Sequence, residues 1–90
     1  METALRVFKY DIERTDFQQI KMHSVEAFLH VGVQHGKLRI WALVDVESDQ
    51  STVRLYVVGT GNPTVLTGNE VFIGTCFDGP FVWHVFSDLP

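Results

Sequence analysis

Apolar and polar residues alternate with a period of two through most of this chain, which is the signature of half-buried strands. The most regular stretch, Glu26 to Asp45, reads as two apolar strands folded back at His35-Gly36. Gly accepts positive φ without steric cost and His tolerates it better than most residues, so a two-residue primed turn is predicted there. That turn sets Val33 opposite Leu38, Val31 opposite Ile40, Leu29 opposite Ala42 and Ala27 opposite Val44, all on one face. The other face carries Gln34/Lys37, Gly32/Arg39, His30/Trp41, Phe28/Leu43 and Glu26/Asp45. A slip of one residue would mix the two sets, so the register is strongly specified.

The same alternation predicts a strand over Leu5–Ile12 and a poorer one over Phe17–His23, suited to a sheet edge. The latter is too short, and too poor in apolar repeats, for the alternative of a helix capped by Thr15 or Asp16. After an acidic loop at Val46–Gln50, a strand from Ser51 to Val58 places Val53, Leu55 and Val57 on one face. Gly59-Thr60-Gly61-Asn62-Pro63 breaks the pairing, and Thr64–Asn69 follows as a loop anchored by Val65 and Leu66. A second hairpin turns at Phe77-Asp78-Gly79-Pro80. Pro80 has no N–H to donate, which favours a four-residue loop. Thr75 then faces Val82, Ile73 faces His84 and Val71 faces Phe86; on the opposite side Cys76 meets Phe81, Gly74 meets Trp83 and Phe72 meets Val85. Trp83 is thereby expected to cover Gly74. Together these elements predict an all-β fold, a small antiparallel sandwich or partly open barrel of about seven strands, with hairpins at 27–44 and 71–86. Ninety residues make one domain, with frayed ends at 1–4 and 87–90.

Composition narrows what such a domain does. The formal charge of −4, with acidic residues scattered from Glu2 to Asp88, argues against a nucleic-acid-binding surface, which shows a clustered basic face. Asp45, Glu47 and Asp49 are too sparse for a mimic of DNA and read as a solvated loop. A single cysteine, Cys76, excludes an intrachain disulfide and is expected to be a buried, inert thiol. No signal peptide or membrane-spanning run is evident, which leads to the expectation of a soluble intracellular protein. Seven Phe, two Tyr and two Trp exceed what one small core hides, so a subunit interface and a homo-oligomer are expected.

The candidate chemistry is thin. Gly59-Thr60-Gly61-Asn62 has neither the third glycine and helix of a dinucleotide site nor the Gly-Lys-Ser/Thr of a P-loop, and it reads as a strand-ending turn. His23, His30, His35, His84 and Cys76 are not spaced as metal ligands, and neither a metal nor another cofactor is expected. Cys76 faces away from His84, and Ser24, Ser48 and Ser51 lie at turns or strand ends without a strained elbow. Glu26 and Asp45 face each other in the predicted register, which would raise one pKa, although a frayed, solvated end is the plainer reading.

Val7-Phe8-Lys9-Tyr10, Ile40-Trp41-Ala42-Leu43-Val44-Asp45, Val58-Gly59-Thr60-Gly61-Asn62-Pro63, Phe72-Ile73-Gly74-Thr75 and Phe81-Val82-Trp83-His84-Val85-Phe86 together resemble a family of short proteins of unknown function encoded by tailed bacteriophages and prophages. The likeness runs from Leu5 to Phe86, and the order and spacing of the blocks carry it. His35-Gly36 stands where Asn-Gly is expected, and Asn62 where a His is common. The resemblance implies a phage accessory protein acting in the host bacterial cytoplasm. The reading that follows is of a non-enzymatic protein that works by binding. It would inhibit a host protein, for example a defence component, or sequester a small anionic, nucleotide-like ligand in a pocket at a subunit interface. The residues predicted for that ligand are Arg39, Trp41, Arg54, Tyr56, Asn62 and Trp83, because guanidinium and aromatic groups suit a planar anion. The alternatives are a structural or assembly role in the virion, or a small hydrolase using His84 and Asp45.

Overall fold

A computed structural model describes residues 4–89 of the chain. It contains seven strands: β1 (Leu5–Asp11), β2 (Gln18–Met22), β3 (Ser24–Gln34), β4 (Lys37–Asp45), β5 (Ser51–Gly59), β6 (Val71–Asp78) and β7 (Phe81–Ser87). They form a three-stranded sheet in the order β1-β4-β3 and a four-stranded sheet in the order β2-β5-β7-β6, with every pairing antiparallel. The two sheets are open, and the predicted all-β sandwich or partly open barrel holds. The segment after Thr15 is a strand rather than a helix, and β2 lies at a sheet edge as its weak pattern suggested.

The core forms where the alternating apolar faces of the two sheets meet. Leu38, Ile40, Ala42 and Val44 of β4 are buried against Val53, Leu55 and Val57 of β5 and Val85 of β7, with Met22, Val31, Ile12 and Cys76 closing the sides. Full burial of a side chain such as Ile40 or Leu55 stabilises the fold by about 1.5–3 kcal/mol. Gly74 lets β6 approach β3 at one seam of the sandwich: a Cβ there would lie 3.1 Å from Val31 Cγ2. At the other seam the loop after β1 donates from Ile12 N–H to the Leu38 carbonyl and accepts at the Thr15 carbonyl from Val57 N–H.

Both hairpins depart from the predicted registers, for identifiable reasons. In β3/β4, His35 adopts positive φ (54°) as the turn requires, and pairing follows expectation from Gln34↔Lys37 to His30↔Trp41. Beyond that point bulges at Leu29 and Glu26 shift the register twice, so Phe28 faces Ala42, Val25 faces Val44 and Ser24 faces Asp45. Leu29 and Ala27, expected in the core, are exposed, as is Val33 near the turn; Phe28 and Val25 pack on the core instead. Glu26 therefore does not meet Asp45. In β6/β7 the loop is Gly79-Pro80 alone, because Pro80 sits in the turn where no ladder N–H is needed. Asp78 pairs with Phe81, Cys76 with Trp83 and Gly74 with Val85, so Trp83 does not cover Gly74. Ser87 is fully buried, and Asp88 N–H donates to the Arg54 carbonyl. Residues 1–3 and 90 lie outside the described residues.

Candidate binding surfaces

The six residues predicted for a ligand fall in three places. Arg39 and Trp41 alternate on the outer face of the three-stranded sheet. Arg54 and Tyr56 do so on the outer face of the four-stranded sheet. Asn62 and Trp83 meet at the end of the sandwich.

The charges of the first place are already paired with one another. Asp11 Oδ1 lies 2.7 Å from Arg39 Nε as an ion pair off the N–H direction, and the Gln34 side-chain oxygen accepts from Arg39 and from Lys9 Nζ. His30 and Trp41 lean together over Gly32, their ring centroids 5.6 Å apart. Gly32 makes room for both rings. A ligand arriving here would have to displace contacts that already pair the guanidinium.

At the sandwich end, β5 stops at Gly59 and the chain turns through Gly61 at a φ of 81°, with Asn62 N–H donating to the Gly59 carbonyl. The turn folds the Asn62 amide across Gly59, where a Cβ would lie 2.5 Å from Asn62 Nδ2 and 3.4 Å from the Trp83 ring. Phe81 and Trp83, two apart on β7, project to the same side and stack at 5.6 Å with their planes 22° apart. Trp83 Nε1–H donates to Asp78 Oδ2 at 2.9 Å, and the same oxygen accepts from Arg14 Nε at 2.7 Å. These donors hold the Asp78 carboxyl below the usual carboxylate range, Arg14 first and Trp83 next. The result is a fixed indole beside a cleft of about 260 Å³ lined by Gly59, Thr60, Asn62, Pro80, Phe81, Val82 and Trp83. None of the lining residues carries a charge.

The third place is larger than the sequence suggested. Register aligns Tyr56 with Phe86 and Phe86 with Phe72, while Phe17, just before β2, packs on Tyr56 at 5.6 Å. Phe72 and Phe86 lie 5.4 Å apart. Phe17, Tyr56, Phe86 and Phe72 thus form a row of rings across all four strands. On one side of the row, Val58, His84 and Thr75 follow, then Val82 and Phe77; on the other stand Gln19 and Arg54, then Lys21 and Thr52. Among the described residues no strand packs on this face, and Phe77 is 78% exposed, Phe72 56% and Phe17 47%. The row was missed in the sequence because the bulge at Ile73 carries Phe72 across to the side of Phe86, and the two-residue turn keeps Phe77 in β6 opposite Val82. The alternation of Val82, His84 and Phe86 on β7, of Arg54, Tyr56 and Val58 on β5, and of Phe17 and Gln19 at β2 was the available signal.

The residues that offered catalysis serve local structure. His84 is held on both sides by hydroxyls, Thr60 Oγ1 at 2.6 Å from Nε2 and Thr75 Oγ1 at 2.9 Å from Nδ1. Asp45 Oδ1 accepts from Glu47 N–H in the turn after β4. Cys76 is buried, and burial pushes its thiol pKa up. Among the described residues no three His, Cys, Asp or Glu side chains are grouped to hold a metal ion.

The family described as Domain of unknown function (DUF7352) matches residues 3–90. The chain belongs to this family. Its extent covers every strand, so both the cleft and the aromatic face lie inside the family's domain. No curated protein and no solved structure matches the chain.

Proposed function

We propose that the protein acts by binding, as a non-catalytic accessory protein of a bacteriophage or prophage, and that it sequesters a small planar, nucleotide-like molecule in the cleft beside Trp83. The observation that carries this is the meeting of Asn62 with the stacked Phe81–Trp83 pair in one hollow. A planar heterocycle stacks on such rings for about 1–3 kcal/mol per base. Asn62 supplies an amide with both donors and an acceptor at the edge of the ring. The cleft, about 260 Å³, lies just under the ~300–1,000 Å³ common for small-molecule sites, a size for a base rather than a whole nucleotide. With no charge in the lining, a phosphate would extend into solvent, so nucleosides and nucleotides bind alike. The phage context rests on the resemblance of the sequence blocks. The non-catalytic reading is supported by the structural bonds that occupy His84 and Asp45.

Fluorescence tests the proposal. The chain has two tryptophans, so Trp41→Phe leaves Trp83 as the sole indole reporter. Titration with the four nucleosides and their monophosphates is expected to give a saturable change in Trp83 emission with at least one base. Asn62→Ala should weaken that response tenfold or more. No saturable change up to about 1 mM, where binding is worth only about 4 kcal/mol, refutes it.

A further inference from the structure

The row Phe17–Tyr56–Phe86–Phe72 and the exposed Phe77 form an apolar sheet face that no strand among the described residues packs upon. We infer that a second copy of the same chain covers this face, packed sheet on sheet about a two-fold axis that runs along the strands between β5 and β7.

Charge selects both the occupant and the axis. The β2/β5 half of the face carries Lys21 and Arg54, neither of which makes an ion pair or side-chain hydrogen bond among the described residues. The β7/β6 half ends in Asp88, which continues the β5/β7 pairing opposite Arg54 through Asp88 N–H to the Arg54 carbonyl and Arg54 N–H to Asp88 Oδ1. Glu70, just before β6, adds a second carboxylate to that half, held in its own loop by Thr67 and Gly68. One half is cationic and the other anionic, with the aromatic row crossing both. A rotation about an axis along the strands lays β5 over the partner's β7 and β2 over the partner's β6. Arg54 then faces the partner's Asp88, Tyr56 faces the partner's Phe86 and Phe17 faces the partner's Phe72, each contact occurring twice, as a two-fold interface requires. The other in-plane axis, along the row of rings, would set Arg54 over the partner's Val58 and leave the cations unanswered. Facing sheets about 10 Å apart let the side chains of the two rows interdigitate.

The area is of the right order. At about 200 Å² for a full aromatic side chain, the exposed fractions of Phe17, Phe72 and Phe77 alone supply about 360 Å². That is close to half of the ~800 Å² per partner of a standard interface. Tyr56, Phe86, Val58 and Val82 are partly exposed on the same face and extend it. The cleft beside Trp83 stands apart from this row, so dimerisation and ligand binding fail or hold separately.

Light scattering on the full chain tests the inference. The wild-type protein is expected at twice the chain mass in the micromolar range. Phe72→Asp, at an exposed position, should give a monomer that keeps its melting transition. Arg54→Asp should weaken association at least tenfold, and so should Asp88→Arg; combining them should restore it, because the reversed charges face each other again. A monomer at all accessible concentrations overturns the inference, as does an oligomer whose mass Phe72→Asp leaves unchanged. If the charge-reversed pair stays as weak as its parents, the axis is wrong and the inference falls. A monomer that loses a foreign protein partner on Phe72→Asp would assign the face to that protein instead.

Discussion

Gly74→Ala probes the closest approach of the two sheets. Gly74 lies on β6 opposite Val85, and its inward side meets Val31 of β3. An added Cβ would stand 3.1 Å from Val31 Cγ2 and 3.4 Å from Val31 Cβ. Val31 is only 3% exposed, and a β-branched side chain has little freedom at χ1, so it cannot turn away. Overpacking of this kind costs about 1–3 kcal/mol. Replacing a strand glycine by alanine returns about 0.5–1 kcal/mol of backbone entropy. The net loss is therefore about 0–2.5 kcal/mol, which for a domain of this size lowers Tm by up to roughly 20 °C. Val31→Ala alone should cost about 2–3 kcal/mol, from two lost carbons and the space they leave. In that background the clash is gone, and Gly74→Ala should become neutral or slightly stabilising. Urea unfolding of the four proteins in the cycle measures the coupling, expected at about 1–3 kcal/mol and favourable. If Gly74→Ala costs the same in both backgrounds to within about 0.5 kcal/mol, Val31 is not what the glycine accommodates.

Two further predictions concern titratable groups. Hydrogen bonds from Arg14 and then Trp83 depress the folded pKa of Asp78, so its contribution to stability is full above the unfolded carboxylate value of about 3.9 and is lost as pH falls through the folded value. The stability gap between wild type and Asp78→Asn should therefore be widest near neutral pH and close in acid; an equal gap in urea midpoints at about pH 7 and pH 2.5 contradicts this. Cys76 is buried with its thiol pKa raised, so a thiol reagent at mildly alkaline pH should label the native protein far more slowly than the unfolded chain. Equal rates would place that sulfur at the surface.

The fold was legible where alternation is uninterrupted and a turn residue is fixed by its own chemistry. Val53, Leu55 and Val57 on β5, and Leu38, Ile40, Ala42 and Val44 on β4, could be assigned to the core from spacing alone. His35-Gly36 gave the turn, and with it the pairing as far as His30↔Trp41. What could not be read were the bulges at Leu29, Glu26 and Ile73, because an extra residue in one strand leaves no compositional mark. Each bulge reverses the facing of everything beyond it. That is why Leu29 and Ala27 were expected inside and are exposed, and why Phe72 and Phe86 were assigned to opposite sides. The site suffered most from this. Asn62 and Trp83 could be nominated by residue type, but their meeting depends on the Gly59–Asn62 turn, and the aromatic row exists only in the observed register.

The two outer faces of the sandwich are built on the same alternation and have opposite characters. On the three-stranded sheet, Asp11, Gln34, Arg39 and Lys9 satisfy one another, and Gly32 lets His30 and Trp41 close over the backbone. The charges of that surface are thereby paired. On the four-stranded sheet the rings fall into a row because strands of different length and origin were brought to one level by a bulge and a two-residue turn. Moving the β6/β7 turn by one residue would send Val82, His84 and Phe86 into the core and Trp83 out of the cleft, since side chains alternate faces with a period of two. The β6/β7 register therefore sets the cleft and the aromatic face together. Gly79, at a φ of 57°, and Pro80, which needs no donor, hold that register at the turn, while Asp78 ties its first residues to Arg14 and Trp83. The two-residue loop Gly79-Pro80 thus governs both surfaces through which this protein would act.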